Sequence, residues 1–448
     1  MTVPVLERHL SLKSATALVI ANMIGAGIFT TTGFQAADLR HPLLIFALWI
    51  VGGMLALLGA LCYAELGAMM PEAGGEYVYL RETYGPAFGF MSAFVSLTAG
   101  FSAAIASATE SFVVYLGTFV PFLAEGRMFG GGVGVVDVVA VVIVWLLVWI
   151  HLRPVRSGTG FNDAITTLKV VGIVAILLAA AAIGRGDVAN LVTPSPSFAQ
   201  LERGTMFAAM GTSLIFVMFC YAGWNAAAYV ASEMKDPQRD LPRALLLGTG
   251  VVLLLYVGLN AVYLYGAGVD QLAGQVEVGV VASRTLFGEW GVALVTVVLC
   301  ASILASASAM TFAGPRVYYA LGKDFPPFAA LARTRSGGAP AVALVTQGVV
   351  TSAFILSGRV DQIQQYAGFT LSLFASLAVS CVIVLRVRAP DANRPFRVLG
   401  YPVTPVLFLA VSLWMMFWAV QGRPVESALG LGTVVLGGVI FALQGRKS

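Results

Sequence analysis

Apolar runs, each near the length of a bilayer span, alternate with short polar stretches along the whole chain. A helix crosses the hydrocarbon core in roughly 20 residues. Twelve runs meet that length: about 14–38, 43–70, 86–121, 134–152, 161–184, 204–233, 244–266, 286–315, 340–357, 363–385, 401–420 and 425–443. The third and eighth are long enough to tilt strongly or to project from the membrane. The longest stretches between runs, about 185–203 and 316–339, are too short to fold alone. The pattern predicts an all-α integral membrane protein with 12 transmembrane helices and no soluble domain.

Composition and charge sharpen this picture. Hydrophobic residues make up 58% of the chain and charged residues 11%, against about 25% charged in soluble proteins. Residues 1–13 are polar, and no small-residue cleavage site follows the first run. The N-terminus therefore reads as a cytoplasmic segment and not as a cleaved leader. With that orientation, 18 of the 26 Lys and Arg fall in the inner segments and seven in the outer ones. Lys169 lies in neither set. This asymmetry fits the positive-inside rule and predicts both termini in the cytoplasm, in a multi-pass plasma (inner) membrane protein. No block of like charge suggests nucleic-acid binding.

Cys62, Cys220, Cys300 and Cys381 all sit inside apolar runs and read as packing residues, with no metal spacing. His9 and His151 fall at the expected cytoplasmic edge and His41 in a short outer loop, so they form no triad or metal site. There is no phosphate-binding glycine loop. An enzyme, a cofactor and ATP-driven transport are all disfavoured, and transport, if any, should be secondary.

Two runs carry helix-breaking chemistry at mid-membrane. The first contains NMIGAGIFTTTG, with Gly25 and Gly27, and the sixth contains FCYAGWNAAAYVASE, with Gly223 beside Trp224 and Asn225. Each mid-helix glycine costs roughly 1 kcal/mol relative to alanine. The two runs are five apart, so if runs one to five repeat as six to ten, the second copy is inverted. Matched breaks in inverted halves point to a transporter's midplane site. Unwinding bares N–H groups that suit a carboxylate and carbonyls that suit an ammonium, and one zwitterion satisfies both. Such backbone is tolerable at this depth only where it lines a cavity. The competing reading is that the glycines serve close packing.

One cation lies deep. Lys169 sits in NDAITTLKVVGIV, about 10 Å beyond Asn162 or Asp163, either of which could cap the fifth helix. A charge at this depth costs roughly 2.5–3.5 kcal/mol and usually marks function. Lys169 is expected to act as a fixed cation or as a proton carrier, with snorkelling to the headgroups as the alternative. Ser302, Ser306 and Ser308 on the eighth helix are candidate polar partners. Glu65 and Glu233, near inner helix ends, and Glu110, in the outer part of the third helix, read as interfacial or gate contacts.

Four stretches together make the chain resemble amino acid permeases of the amino acid–polyamine–organocation superfamily over essentially its whole length. They are MIGAGIFTTTG, YAELGAMMPEAGGEYVYLRETYG (63–85), YAGWNAAAYVASEMKDPQRDLPRA (221–244) and GPRVYYALGKDFPP (314–327). The resemblance implies a leucine-transporter-like fold: a 5+5 inverted repeat, 14–184 and 204–388, plus two C-terminal helices over 401–443. It implies that Ile24, Gly25, Ala26, Gly27 and Ile28 bind substrate through backbone groups. It also implies that Cys220, Tyr221, Ala222, Gly223 and Trp224 form the facing half of the pocket, with Trp224 packing over the substrate. Lys169 would replace the sodium site, near Ser302 or Ser306. YAGWN looks closest to the neutral L-type branch, although related L-type proteins often carry an acidic residue where Ala222 stands.

The expected function is sodium-independent transport of small or neutral L-amino acids by alternating access, as exchanger or proton symporter. The alternatives are a cationic amino acid or polyamine transporter and a non-transporting sensor. The implied partners are the amino acid, protons and the lipid bilayer. The sequence is silent on an accessory subunit and on oligomeric state.

Overall fold

Ser11 opens the first helix: its hydroxyl accepts the Ser14 N–H (3.3 Å), replacing one missing intrahelical partner. That helix, α1 (Leu12–Met23), runs into the first glycine-rich stretch and stops, and α2 (Gly27–Leu39) resumes after it. The structure, a computed structural model, describes residues 10–72, 74–124, 128–130, 133–152, 159–334 and 340–444.

The remaining helices follow the apolar runs. They are α3 (Pro42–Met69), α4 (Glu76–Tyr84), α5 (Pro86–Val95), α6 (Ala103–Leu116), α7 (Pro121–Ala124), α8 (Val135–His151), α9 (Thr159–Ile183) and α10 (Arg203–Tyr221). Then come α11 (Pro237–Gly266), α12 (Val269–Leu272), α13 (Val278–Asp324), α14 (Ala341–Ser357), α15 (Val360–Arg388), α16 (Val403–Gly422) and α17 (Pro424–Gln444). A two-stranded hairpin, Met128–Gly130 with Val133–Gly134, precedes α8. Among the described residues ten helical spans are long and apolar enough to cross a membrane, and α8 and α14 are shorter apolar helices.

Three runs differ from their sequence outlines for local reasons. The third is one span, Pro86–Leu116, in which a π-helical turn, Ser96–Ser102, joins α5 to α6. The eighth extends to 47 residues because a kink at Gly288 (φ 70°, ψ −171°) links a shorter leading helix to it. The seventh begins at Pro237, earlier than its apolar run: proline at the first helical position and Asp240 in the first turn favour starting there. Helix α9 starts at Thr159. Asn162 and Asp163, expected as caps, therefore lie inside the helix and not at its N-cap, because it begins earlier than its apolar run; His9 lies outside the described residues.

Apolar side chains cover the outside as well as the core. Leu254 is 74% exposed, Leu294 71% and Trp290 88%, an apolar surface that only lipid or a partner covers. Inside, α3 lies along α11, α10 along α16, and α13 against α6. Helix α1 packs on α9 and α11, and α2 on α10. These pairings bring the ends of α1 and α10 together in the interior.

Candidate functional site

The first break is short and tightly defined. Helix α1 ends at Ile24 (φ −74°, ψ 85°). Gly25 N–H turns back to the Met23 carbonyl (2.8 Å), and the next backbone bond is Phe29 N–H to the Ala26 carbonyl (2.9 Å). Among the described residues the amides of Ala26, Gly27 and Ile28 meet no backbone carbonyl. They form the donor end of α2, which carries positive partial charge.

The carbonyls at the end of α1 are held by side chains from three other helices. Lys169 Nζ, on α9, donates to the Ile24 carbonyl (3.3 Å), and Ser306 Oγ, on α13, donates to the same oxygen (3.2 Å). Tyr256 OH, on α11, lies 2.5 Å from the Met23 carbonyl and 3.1 Å from the Cys220 carbonyl. Lys169 therefore turns inward instead of snorkelling to the headgroups, and it is 4% exposed.

The second break uses a different device. Helix α10 ends at Tyr221, Ala222 is extended (ψ 141°), and Gly223 takes φ +99°, a conformation that side-chain-bearing residues rarely adopt. The chain resumes as a 3₁₀ helix, Ala226–Glu233. A Cβ at Gly223 would fall 2.9 Å from the Asn22 carbonyl group, and one at Gly27 would fall 2.7 Å from Cys220 Sγ. The two breaks thus pack directly on each other through glycine. Ile24, Ala26, Gly27, Ile28, Cys220, Tyr221 and Trp224 are buried, whereas Gly25, Ala222 and Gly223 keep some accessible surface.

Two of the expected residues make contacts outside the breaks. Ser302 Oγ bonds the Val298 carbonyl of its own helix (2.8 Å) and does not join Lys169, because a serine hydroxyl mid-helix readily bonds back four residues. Trp224 packs on α3, edge-on to Tyr63 (4.5 Å between ring centres) and against Gly59. Ser308 bonds His151 Nε2 (3.0 Å).

Several polar residues that pattern reasoning missed surround the break. Gln364 Nε2 donates to Thr30 Oγ1 and Ser107 Oγ (2.9 Å each), and Thr31 Oγ1 donates to Gln364 Oε1 (3.3 Å). Thr32 Oγ1 donates to Asn260 Oδ1 (2.6 Å), and Tyr115 OH to the Phe29 carbonyl (2.5 Å). Beyond the second break, Asn225 Nδ2 (2.7 Å) and Tyr63 OH (2.5 Å) both donate to the buried Glu76 Oε1. Of the acids singled out earlier, Glu65 forms a two-pronged pair with Arg386 (2.6 and 3.0 Å) and accepts Val398 N–H. Glu110 is buried, and among the described residues its Oε1 has no hydrogen-bond partner. The Glu233 carbonyl accepts Leu10 N–H (2.9 Å).

Bare amides, a positive helix end and nearby carbonyls make a cradle suited to a small zwitterion. Residues 10–441 match the family described as amino acid permease. The chain belongs to the amino acid permease family. Among its relatives is the serine/threonine exchanger SteT of Bacillus subtilis, 28% identical over 99% of this chain and 98% of that protein. The large neutral amino acids transporter small subunit 2 of Homo sapiens is 26% identical over 98% of this chain and 80% of that protein. The b(0,+)-type amino acid transporter 1 of Mus musculus is 26% identical over 97% and 87%. The permease is an integral, multi-pass membrane protein that transports amino acids.

Proposed function

We propose that this permease is a sodium-independent exchanger of small neutral L-amino acids, working by alternating access around the two breaks. The observation that carries the reading is the pairing at Ile24: its carbonyl is capped by the Lys169 ammonium while the amides just after it stay bare. A fixed cation there does the work of a bound sodium ion, as the superfamily resemblance implies, and the amides of 26–28 receive the substrate carboxylate. Tight glycine contacts at Gly27 and Gly223 favour a small substrate. Similarity to a serine/threonine exchanger favours exchange.

The same reading includes twelve crossings, with α8 and α14 as the two shorter ones, and an inverted repeat over 14–184 and 204–388. Helices over 401–443 stand outside the repeat, and both termini face the cytoplasm across a plasma (inner) membrane. The basic-residue asymmetry supports that orientation. Substrate contacts fall on Ile24, Gly25, Ala26, Gly27, Ile28, Cys220, Tyr221, Ala222, Gly223 and Trp224.

Proton symport is the second reading, favoured by the buried Glu110 carboxyl and its unpartnered oxygen. Proteoliposomes separate the two. Labelled serine should enter only vesicles preloaded with a neutral amino acid, equally with sodium or potassium outside. Accumulation in empty vesicles under an imposed pH gradient would establish symport and remove exchange. A sodium requirement would remove the assigned role of Lys169.

A further inference from the structure

A groove outside the breaks lies at the start of α11 and has no part in the transport site. It measures about 460 Å³ and is lined by Arg239 and Arg243, by Asp236 and Gln238, and by Pro242, Leu246, Pro395 and Phe396. Arg239 and Arg243 are four residues apart, so both project from one face of the helix. Both are exposed, and among the described residues neither guanidinium has a carboxylate within ion-pair distance. The nearby Arg394 is different: it already pairs with Glu65 (3.4 Å).

The depth of the groove follows from helix length. Helix α11 has 30 residues, about 45 Å at 1.5 Å per residue, against about 30 Å of hydrocarbon. Its apolar run begins only at Ala244, so Arg239 and Arg243 stand at headgroup level. One turn further in, the surface becomes apolar. Leu247 (54% exposed) and Leu254 face outward on α11, and Val403 (67%) faces outward on α16. Helices α11 and α16 both pack on α3.

We propose that this groove is a binding site for an anionic glycerophospholipid. The phosphate is held between the Arg239 and Arg243 guanidiniums, the glycerol lies over Pro242 and Phe396, and the acyl chains follow the leucines of α11. Charge complementarity selects this occupant. Two unpaired guanidiniums against the single lining carboxylate, that of Asp236, leave the groove net positive, and arginine matches phosphate oxygens with two parallel bonds. The adjoining apolar flank excludes a free anion as the natural ligand, because that flank would stay uncovered. Anionic lipid is also enriched in the cytoplasmic leaflet, the side on which the flanking basic residues Lys235 and Arg397 are expected.

The test is lipid retention by the full-length protein, purified in detergent and read by native mass spectrometry after equilibration with phosphatidylglycerol and phosphatidylcholine in equal amounts. Wild-type protein should keep phosphatidylglycerol in several-fold preference. Arg239→Gln/Arg243→Gln should lose the preference, while Arg284→Gln, at an exposed arginine elsewhere, should keep it. Arg239→Lys/Arg243→Lys preserves charge without the planar fork and should retain part of it, which covers the case in which the neutral pair fails to fold. Equal retention of the two lipids by wild type, or undiminished preference in the neutral pair, overturns the proposal. So does displacement of the lipid by millimolar inorganic phosphate, which would make the site a free-anion site.

Discussion

The two helix breaks achieve the same result by opposite means. At the first, three side chains from α9, α13 and α11 converge on two adjacent carbonyls, those of Met23 and Ile24. At the second, the bend resides in the backbone of one residue, Gly223, at φ +99°. The first break is held from outside and registers the positions of three neighbouring helices. The second is set from within and depends on one glycine. Damage at the first should therefore be shared among its supports, whereas damage at the second should be concentrated at one position.

The sharpest way to break this comparison is Gly223→Ala. The added Cβ meets the Asn22 backbone at 2.9 Å, and α1 cannot withdraw without disturbing the first break. A side-chain-bearing residue in such a conformation costs about 1–3 kcal/mol before that clash is counted. Uptake into preloaded proteoliposomes should fall about a hundredfold. Activity near that of wild type would show that the second bend does not require glycine.

Lys169→Ala should come next. It leaves the Ile24 carbonyl with Ser306 alone, and a buried hydrogen bond to a charged group is worth about 1.5–3 kcal/mol. Uptake should fall about tenfold or more, with the protein still folded by thermal denaturation. Ser306→Ala should cost less, because the ammonium remains in place. If the serine variant were the worse of the two, the ammonium would not be the principal support of the first break.

What was legible in the sequence follows the same division. Local chemistry announced both breaks, because Gly25, Gly27 and Gly223 interrupt runs that are otherwise apolar. A single lysine in an apolar run announced itself through the cost of burying it. The supports contributed by α11 and α15 gave no such signal. Tyr256 and Asn260 are isolated polar residues in a long helix and Gln364 is one of several in the polar first turns of α15, and only tertiary packing shows that they face the break. The eighth helix illustrates the limit. Ser302 and Ser306 are one turn apart and look equivalent, yet one bonds within its own helix and the other reaches Ile24.

Tyr256→Phe probes the link between the breaks, since one hydroxyl lies within reach of carbonyls from both. It has one proton to donate, so the loss should be that of one neutral hydrogen bond, about 1 kcal/mol. Uptake should fall about fivefold. Combining it with Lys169→Ala should cost less than the product of the two losses, because both act on neighbouring carbonyls of one short segment. Fully multiplicative losses would mean that the supports act independently and that the first break is not a shared structure.

The smallest effect concerns Glu76, which holds the segment after the second break through Asn225. Burial pushes the Glu76 carboxyl above its ordinary value, although the hydrogen bonds from Tyr63 and Asn225 pull the other way. A carboxyl raised in the folded state binds its proton more tightly there than in the unfolded chain. The stability that this adds is complete below the ordinary carboxylate value and is lost as pH rises through the folded value. Glu76→Gln keeps an acceptor for Tyr63 and has no charge to bury. The variant should match wild type in acid and melt higher in alkali, by about 2 °C for a chain of this size. A difference in melting temperature that stays constant across pH would mean that Glu76 remains ionised throughout. The second break would then be held by a charged hydrogen bond as well as by its glycine, and the contrast with the first break would narrow.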